Sequence, residues 1–258
     1  MKITILTLFP EMFDGFLTNS IIKRAIAKGL VDIKIENIRD YTLDKYRRVD
    51  TPPIGGGAGL IMKCQPIVDA IKASKNENSK VIMLSPRGIT YNQEKAHQLL
   101  KENKDLIFIC GHYEGIDERV NKYVDELISI GDYILTGGEI GAMAISDSII
   151  RLIDGAIDEE SIKEESFENG LLEYPQYTEP YEYNKDKVPD ILYSGNHEAI
   201  KKYRQKESLR LTKLYRPDLF AKYKCNKLDY KLLQELEENN ETPSWLLEAL
   251  KKGHKFIK

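Results

Sequence analysis

Three short apolar runs, centred on Ile82, Ile107 and Ile128, constrain the fold of this chain more than any other feature of its sequence. Each is too short for a helix and shows no polar alternation, the pattern of a strand buried on both faces of a parallel sheet. With Lys2–Leu8 and Val31–Ile38 they give five strand candidates, the three runs being Val81–Leu84, Leu106–Cys110 and Glu126–Ile130. Helical spacing near 18–28, 65–74, 92–102, 116–124 and 139–153 alternates with them, which predicts an α/β domain. Beyond residue 156 the pattern changes to helices near 198–214, 228–238 and 243–252, the last opened by Thr242-Pro243-Ser244. No internal repeat is visible.

At 258 residues the chain has room for one large domain or two ordinary ones, and 41% hydrophobic residues suffice for a sizeable core. No stretch approaches the roughly 18 apolar residues of a membrane span, and the first apolar run is too short for a signal peptide. Cys64, Cys110 and Cys225 are isolated and odd in number, so neither a disulfide framework nor a zinc site is expected. A cytoplasmic protein without a membrane partner is the expectation. The net charge of −3 argues on its own against nucleic acid, but it averages two opposite segments. Residues 157–190 hold eleven acids against three lysines, with Pro175, Pro180 and Pro189 breaking any helical period. Residues 197–224 hold nine bases against three acids, with Ile200, Tyr203, Leu211 and Leu214 interleaved at helical spacing.

Parallel α/β sheets bind ligands beyond the carboxyl ends of their strands. The turns found there are Ser85-Pro86-Arg87-Gly88, then Gly111-His112-Tyr113-Glu114-Gly115-Ile116-Asp117, then Gly131-Asp132-Tyr133-Ile134-Leu135-Thr136-Gly137-Gly138. Three polar, glycine-bearing turns on successive strands point to one shared site. Phe9-Pro10-Glu11 after the first strand excludes a glycine-fingerprint dinucleotide site. Gly55-Gly56-Gly57-Ala58-Gly59 lacks the Lys-Ser/Thr ending of a phosphate loop and suits a surface loop or a mobile element over a substrate. Ser85 and Ser129 lack evident His/Asp partners, so hydrolase chemistry is unsupported. His112 is expected to hydrogen-bond near its loop, His97 to lie on a helix surface, and neither belongs to a metal cluster.

The ordered set of motifs carries a specific resemblance. Gly55–Gly59 with Met62-Lys63, Leu84-Ser85-Pro86, Gly111 to Arg119, Ile130 to Glu139, Gly170-Leu171-Leu172-Glu173-Tyr174-Pro175-Gln176-Tyr177-Thr178 and Ser194-Gly195-Asn196-His197 occur in that order. Together, from Met1 to about Leu219, they resemble the bacterial tRNA (guanine-N1)-methyltransferases that modify guanine 37 beside the anticodon. The resemblance implies a SPOUT fold: a parallel α/β sheet with a deep trefoil knot, then a small C-terminal helical domain. It places the S-adenosylmethionine-binding domain at 1–160, a linker at 161–175 and a helical tRNA-binding domain at 176–258. It implies a cofactor pocket of Leu84, Ser85, Pro86, Gly111, Glu114, Ile130, Gly131, Tyr133, Leu135, Gly137 and Gly138. It also implies a homodimer with shared active sites and a dependence on Mg²⁺, for which the sequence offers no dedicated cage; Glu114 either bears on that ion or contacts the guanine.

Methylation at guanine N1 requires loss of the N1 proton, and the resulting charge spreads onto O6, where a fixed cation stabilises it. By resemblance Arg151 is that cation. The base is the acid before Ser166-Phe167, an aspartate in the family and Glu165 here, with Asn169 at most in support. Asn196, His197, Lys201, Arg204, Arg210 and Arg216, with Lys202 and Lys213 beside them, are the expected contacts to the anticodon stem-loop. The chain departs from the family at Gly141, where proline is common, at Glu179 in place of arginine, and at Tyr203 in place of tryptophan. Trp245, the single tryptophan, is expected in the core of the small domain. Two other readings compete: a SPOUT enzyme acting on ribose 2′-hydroxyls, against which Arg151 and Glu165 argue, and a tRNA-binding protein without turnover.

Overall fold

The computed structural model describes residues 1–238 and 242–253, which divide into two compact units, Met1–Glu159 and Glu160–Lys258. The first is built on five parallel strands: β1 (Lys2–Thr7), β2 (Asp32–Asn37), β3 (Ser79–Thr90), β4 (Asp105–Ile109) and β5 (Glu126–Ser129). Their order across the sheet is β2-β1-β4-β3-β5. β1, β4 and β3 are the inner strands, and the mostly buried residues of β1, β4 and the Ser79–Met83 part of β3 suit positions covered on both faces, where alternation would bury polar groups. Ile3, Ile5, Val81, Ile82, Ile107 and Phe108 are all buried.

Successive side chains point to opposite faces. Leu6, Val81, Met83, Ile107 and Ile109 share one core with Ile67, Val68 and Ile71 of a helix at Cys64–Ser74. The helix at Glu139–Ile150 packs against those at Gln93–Lys101 and Ser20–Ala27. Each follows the spacing read in the sequence to within a few residues, with two differences. The turn expected after Leu84 lies inside β3, which bulges between Leu84 and Ile89 and then resumes its pairing with β5. The segment expected as a helix near 116–124 is a 3₁₀ turn over Glu118–Tyr123, opened by Asp117 accepting from the backbone of Arg119.

The second unit contains helices at His197–Tyr215, Lys227–Glu237 and Ser244–Gly253. Leu209 and Leu232 are fully buried and close a small core with Leu171, which comes from the segment read as a linker. That segment is tied down further, with Leu172 N–H donating to Thr212 Oγ1 at 2.8 Å and Glu173 N–H to Ser166 Oγ at 2.9 Å. A second cluster joins Ile191, Ala199 and Ala249 with the partly buried Trp245. Asp229 is fully buried and accepts from Gln205, Tyr223 and the Asn226 backbone, pinning one helix start to its neighbour.

Tyr91, at the end of β3, shares a 2.6 Å hydrogen bond with Ser148 on the helix at Glu139–Ile150. Burial pushes its phenol up to about 12, above the unfolded value of about 10. The proton is therefore held more tightly in the folded chain. This contribution is complete below about pH 10 and lost as pH rises to about 12. Tyr91→Phe is expected to cost about 1 kcal/mol at neutral pH and to flatten the fall in stability between pH 10 and 12. Urea unfolding across that range checks both.

Candidate functional site

Three turns meet at the carboxyl edge of the sheet, and close backbone contact holds them there. The bulge at Ser85–Gly88 lies against β5 so tightly that a Cβ at Gly88 would sit 2.4 Å from the Ile128 nitrogen. Beyond β5 the chain returns over the end of β4. Gly138 N–H donates to Gly111 carbonyl at 3.0 Å, and a Cβ at Gly138 would lie 2.7 Å from Cys110 Cα. Both positions exclude a side chain because backbone occupies its place. The turn after β4 is held from a third direction, with Met62 N–H donating to Gly115 carbonyl at 2.9 Å and Glu114 N–H to Leu60 carbonyl at 3.0 Å.

Between the turns lies a cavity of about 570 Å³. Leu84, Ser85, Pro86, Gly111, Glu114, Ile130, Gly131, Tyr133, Leu135, Gly137 and Gly138 all line it. Its lining mixes apolar Leu84, Ile116, Ile130 and Leu135 with polar Ser85, Arg87, His112 and Glu114, and includes the exposed Tyr113, Tyr133 and Ile134. Arg87, which lines the cavity, forms a bidentate pair with Glu118, and the guanidinium lowers the Glu118 carboxyl below its ordinary range.

Beneath the cavity is a polar group that the sequence reading did not assemble. Glu139 is 1% exposed; its carboxylate accepts from Thr7 Oγ1 at 2.6 Å and lies 2.7 Å from His112 Nε2. Thr7 Oγ1 in turn accepts from Phe9 N–H at 2.9 Å. The sequence signal was an acid followed directly by the apolar run Ile140–Ile145, with partners too distant in sequence to be paired by inspection. Burial, with the nearby Glu139 charge second, raises the Cys110 thiol well above its ordinary value, so this cysteine is an inert core residue.

Arg151 caps the helix at Glu139–Ile150, its N–H donating to Asp147 carbonyl at 3.0 Å, and it lies outside the lining of this cavity. Glu165 belongs to the second unit, where its backbone joins a turn through Ile162 and Glu168.

In the second unit His197, Lys201 and Arg204 line a cavity of about 940 Å³ with Tyr174, Tyr177, Glu179 and Asn169. Arg204 lies over the Tyr174 ring and pairs with Glu164 at 3.4 Å. Burial first, then Glu164, pushes the Tyr174 phenol up to about 12. Asn196 is the helix cap, accepting from Ala199 N–H at 3.2 Å. Arg210 pairs with Glu207 and Arg216 with Asp218, while Lys202, Lys206 and Lys213 reach Glu235 and Glu237 on the next helix. The basic face expected from the sequence is thus laced with local acids. Exposed pairs such as Lys213–Glu237 and Arg216–Asp218 are worth only about 0–1 kcal/mol each, so these bases stay available to a polyanion.

Among the described residues no three His, Cys, Asp or Glu side chains gather as metal ligands, and no helix is long and apolar enough to cross a membrane.

A pocket of this size at the carboxyl edge of a parallel sheet is where α/β proteins characteristically hold small molecules. Comparison with known proteins narrows the class. The family described as tRNA (guanine-1)-methyltransferase TrmD matches residues 1–222. A tRNA (guanine-N(1)-)-methyltransferase of Clostridium perfringens strain SM101 is 58% identical over 236 residues, covering 91% of this chain and 99% of that protein. One from Clostridium botulinum strain Hall is 56% identical over 240 residues, covering 92% and 99%. The chain belongs to this tRNA (guanine-1)-methyltransferase family.

Gly88→Ala is expected to destabilise the first unit by about 1–3 kcal/mol or more, because backbone rather than a yielding side chain opposes the new methyl. Denaturant unfolding against wild type measures it.

Proposed function

We propose that this protein transfers a methyl group from S-adenosylmethionine to N1 of guanine 37 in tRNA. The observation that carries this is the convergence of all eleven expected cofactor residues on one cavity in a chain of this family. At about 570 Å³ the cavity falls within the roughly 300–1,000 Å³ typical of small-molecule pockets. Apolar Leu84, Ile130 and Leu135 beside polar Ser85 and Glu114 suit a purine and its ribose.

When bound, adenosylmethionine supplies an activated methyl on its sulfonium, so the chain must align the guanine and remove the N1 proton. Glu165 is proposed as the base and Arg151 as the cation that meets the charge growing on O6. Both are proposed to act in a homodimer whose active site two copies complete. The residues present do not form a cluster suited to Mg²⁺ among those described, and no step is assigned to it.

The close passage of Gly138 over Cys110 and of Gly88 against Ile128 supports the deep trefoil knot of the SPOUT fold. The second unit is proposed as the tRNA-binding part. Its cavity combines Lys201, Arg204 and His197 with Tyr174 and Tyr177, suiting phosphates and an unstacked loop base. Arg210 and Arg216 would exchange Glu207 and Asp218 for stem phosphates. A cytoplasmic location follows from the tRNA substrate.

Methylation of a transcript bearing G36-G37, against the same transcript lacking G37, separates this reading from its rivals. Product at N1 supports it. A ribose product would indicate the 2′-hydroxyl reaction, and binding without product a protein lacking turnover. Glu165→Gln is expected to slow single-turnover methylation about 100-fold or more while leaving cofactor affinity near wild type. Arg151→Ala is expected to slow it to a similar degree. A near-normal rate in Glu165→Gln contradicts its assignment as the base.

A further inference from the structure

We propose that Glu139 is a positioning residue: a buried carboxylate that pins together the two turns forming the floor of the cofactor cavity. The inference rests on the cofactor reading above and goes beyond it in naming what sets the cavity's shape. The carboxylate is 1% exposed. One oxygen is held by Thr7 at the end of β1, and the other by His112 in the turn after β4. Glu139 itself begins the helix that follows the turn after β5, so one side chain joins three elements at the site edge. His112 and Gly137 form a backbone bridge, and a Cβ at Gly137 would sit 2.3 Å from His112 Nε2 and 2.4 Å from Glu139 Oε2. The pair therefore fills the space beneath Gly137, and both His112 and Gly137 line the cavity.

Physical cost explains why such a group would not be kept for stability alone. A carboxylate removed from water must be hydrogen-bonded on both oxygens, and well-packed apolar residues often serve a core as well or better. What the carboxylate adds is direction. Its two oxygens fix the Thr7 hydroxyl and the imidazole at once, which fixes the orientation of the turn carrying Gly111, His112 and Glu114. The Phe9 ring, 4.6 Å from that of His112, supports the imidazole from another side. The turn is also held by His112 N–H to Met62 sulfur, by Arg39 to the Tyr113 hydroxyl and by the backbone bonds of Gly111, Glu114 and Gly115 described above, none of which involves the carboxylate.

The test compares wild type, Glu139→Gln, His112→Leu and the double variant in the full chain. Hydrogen exchange without ligand reads the pin directly. Amides at 111–117 and 131–138 are expected to exchange at least tenfold faster in Glu139→Gln, with those of β1, β3 and β4 unchanged. Global destabilisation would instead accelerate the strands as well. For adenosylmethionine, each single variant is expected to raise Kd about tenfold or more. The double variant should be no weaker than the worse single, since both remove one interaction. The KM for tRNA should stay within twofold. Unchanged loop exchange in a folded Glu139→Gln, or losses that multiply in the double variant, overturns the inference. Faster loop exchange in a chain whose wild type binds no adenosylmethionine keeps the pin and overturns the cofactor reading instead. If Glu139→Gln does not fold, Thr7→Val, which removes the other grip on the carboxylate, carries the same comparison.

Discussion

The first unit depends on one close crossing, where the backbone of Gly138 passes over Cys110 and Gly111 with no room for a side chain between them. The crossing decides where polar groups can go. Strands buried on both faces leave no place for ligand-binding atoms except the carboxyl edge. At that edge the three turns are pressed together, so the position of the backbone around the cavity is fixed by contact rather than by long side chains that must first be ordered.

Charge is handled differently in the two units. In the first, a single buried carboxylate is placed under the cavity and satisfied by two neighbours. In the second, an exposed basic helix is laced to acids of its own and of the next helix. The buried arrangement is costly to disturb and suits a fixed shape. The exposed one is easily exchanged and suits a polyanion that must bind and leave.

Much of this was legible in the sequence. Unalternating apolar runs gave the parallel strands, and the turns after them gave the cavity lining, since both signals are local. What escaped inspection depends on distant partners. The continuation of β3 to Thr90 rests on pairing with β5, and the 3₁₀ turn at Glu118–Tyr123 is a local choice that helical spacing does not distinguish. Thr7, His112 and Glu139 are joined across as many as 132 residues. Leu171 lay hidden among the acids of residues 157–190, although it belongs to a core with Leu209 and Leu232. The acids that offset Lys206 and Lys213 stand on another helix, so counting charge along residues 197–224 overstated how open the basic face is.

The most direct measurement is a crystal structure of the chain with S-adenosylmethionine. The account predicts the ligand in the edge cavity, its adenine and ribose against the backbone of the turns at Ser85–Gly88, Gly111–Gly115 and Ile130–Gly138. A ligand seated elsewhere, with this cavity left to solvent at saturating concentration, would contradict it.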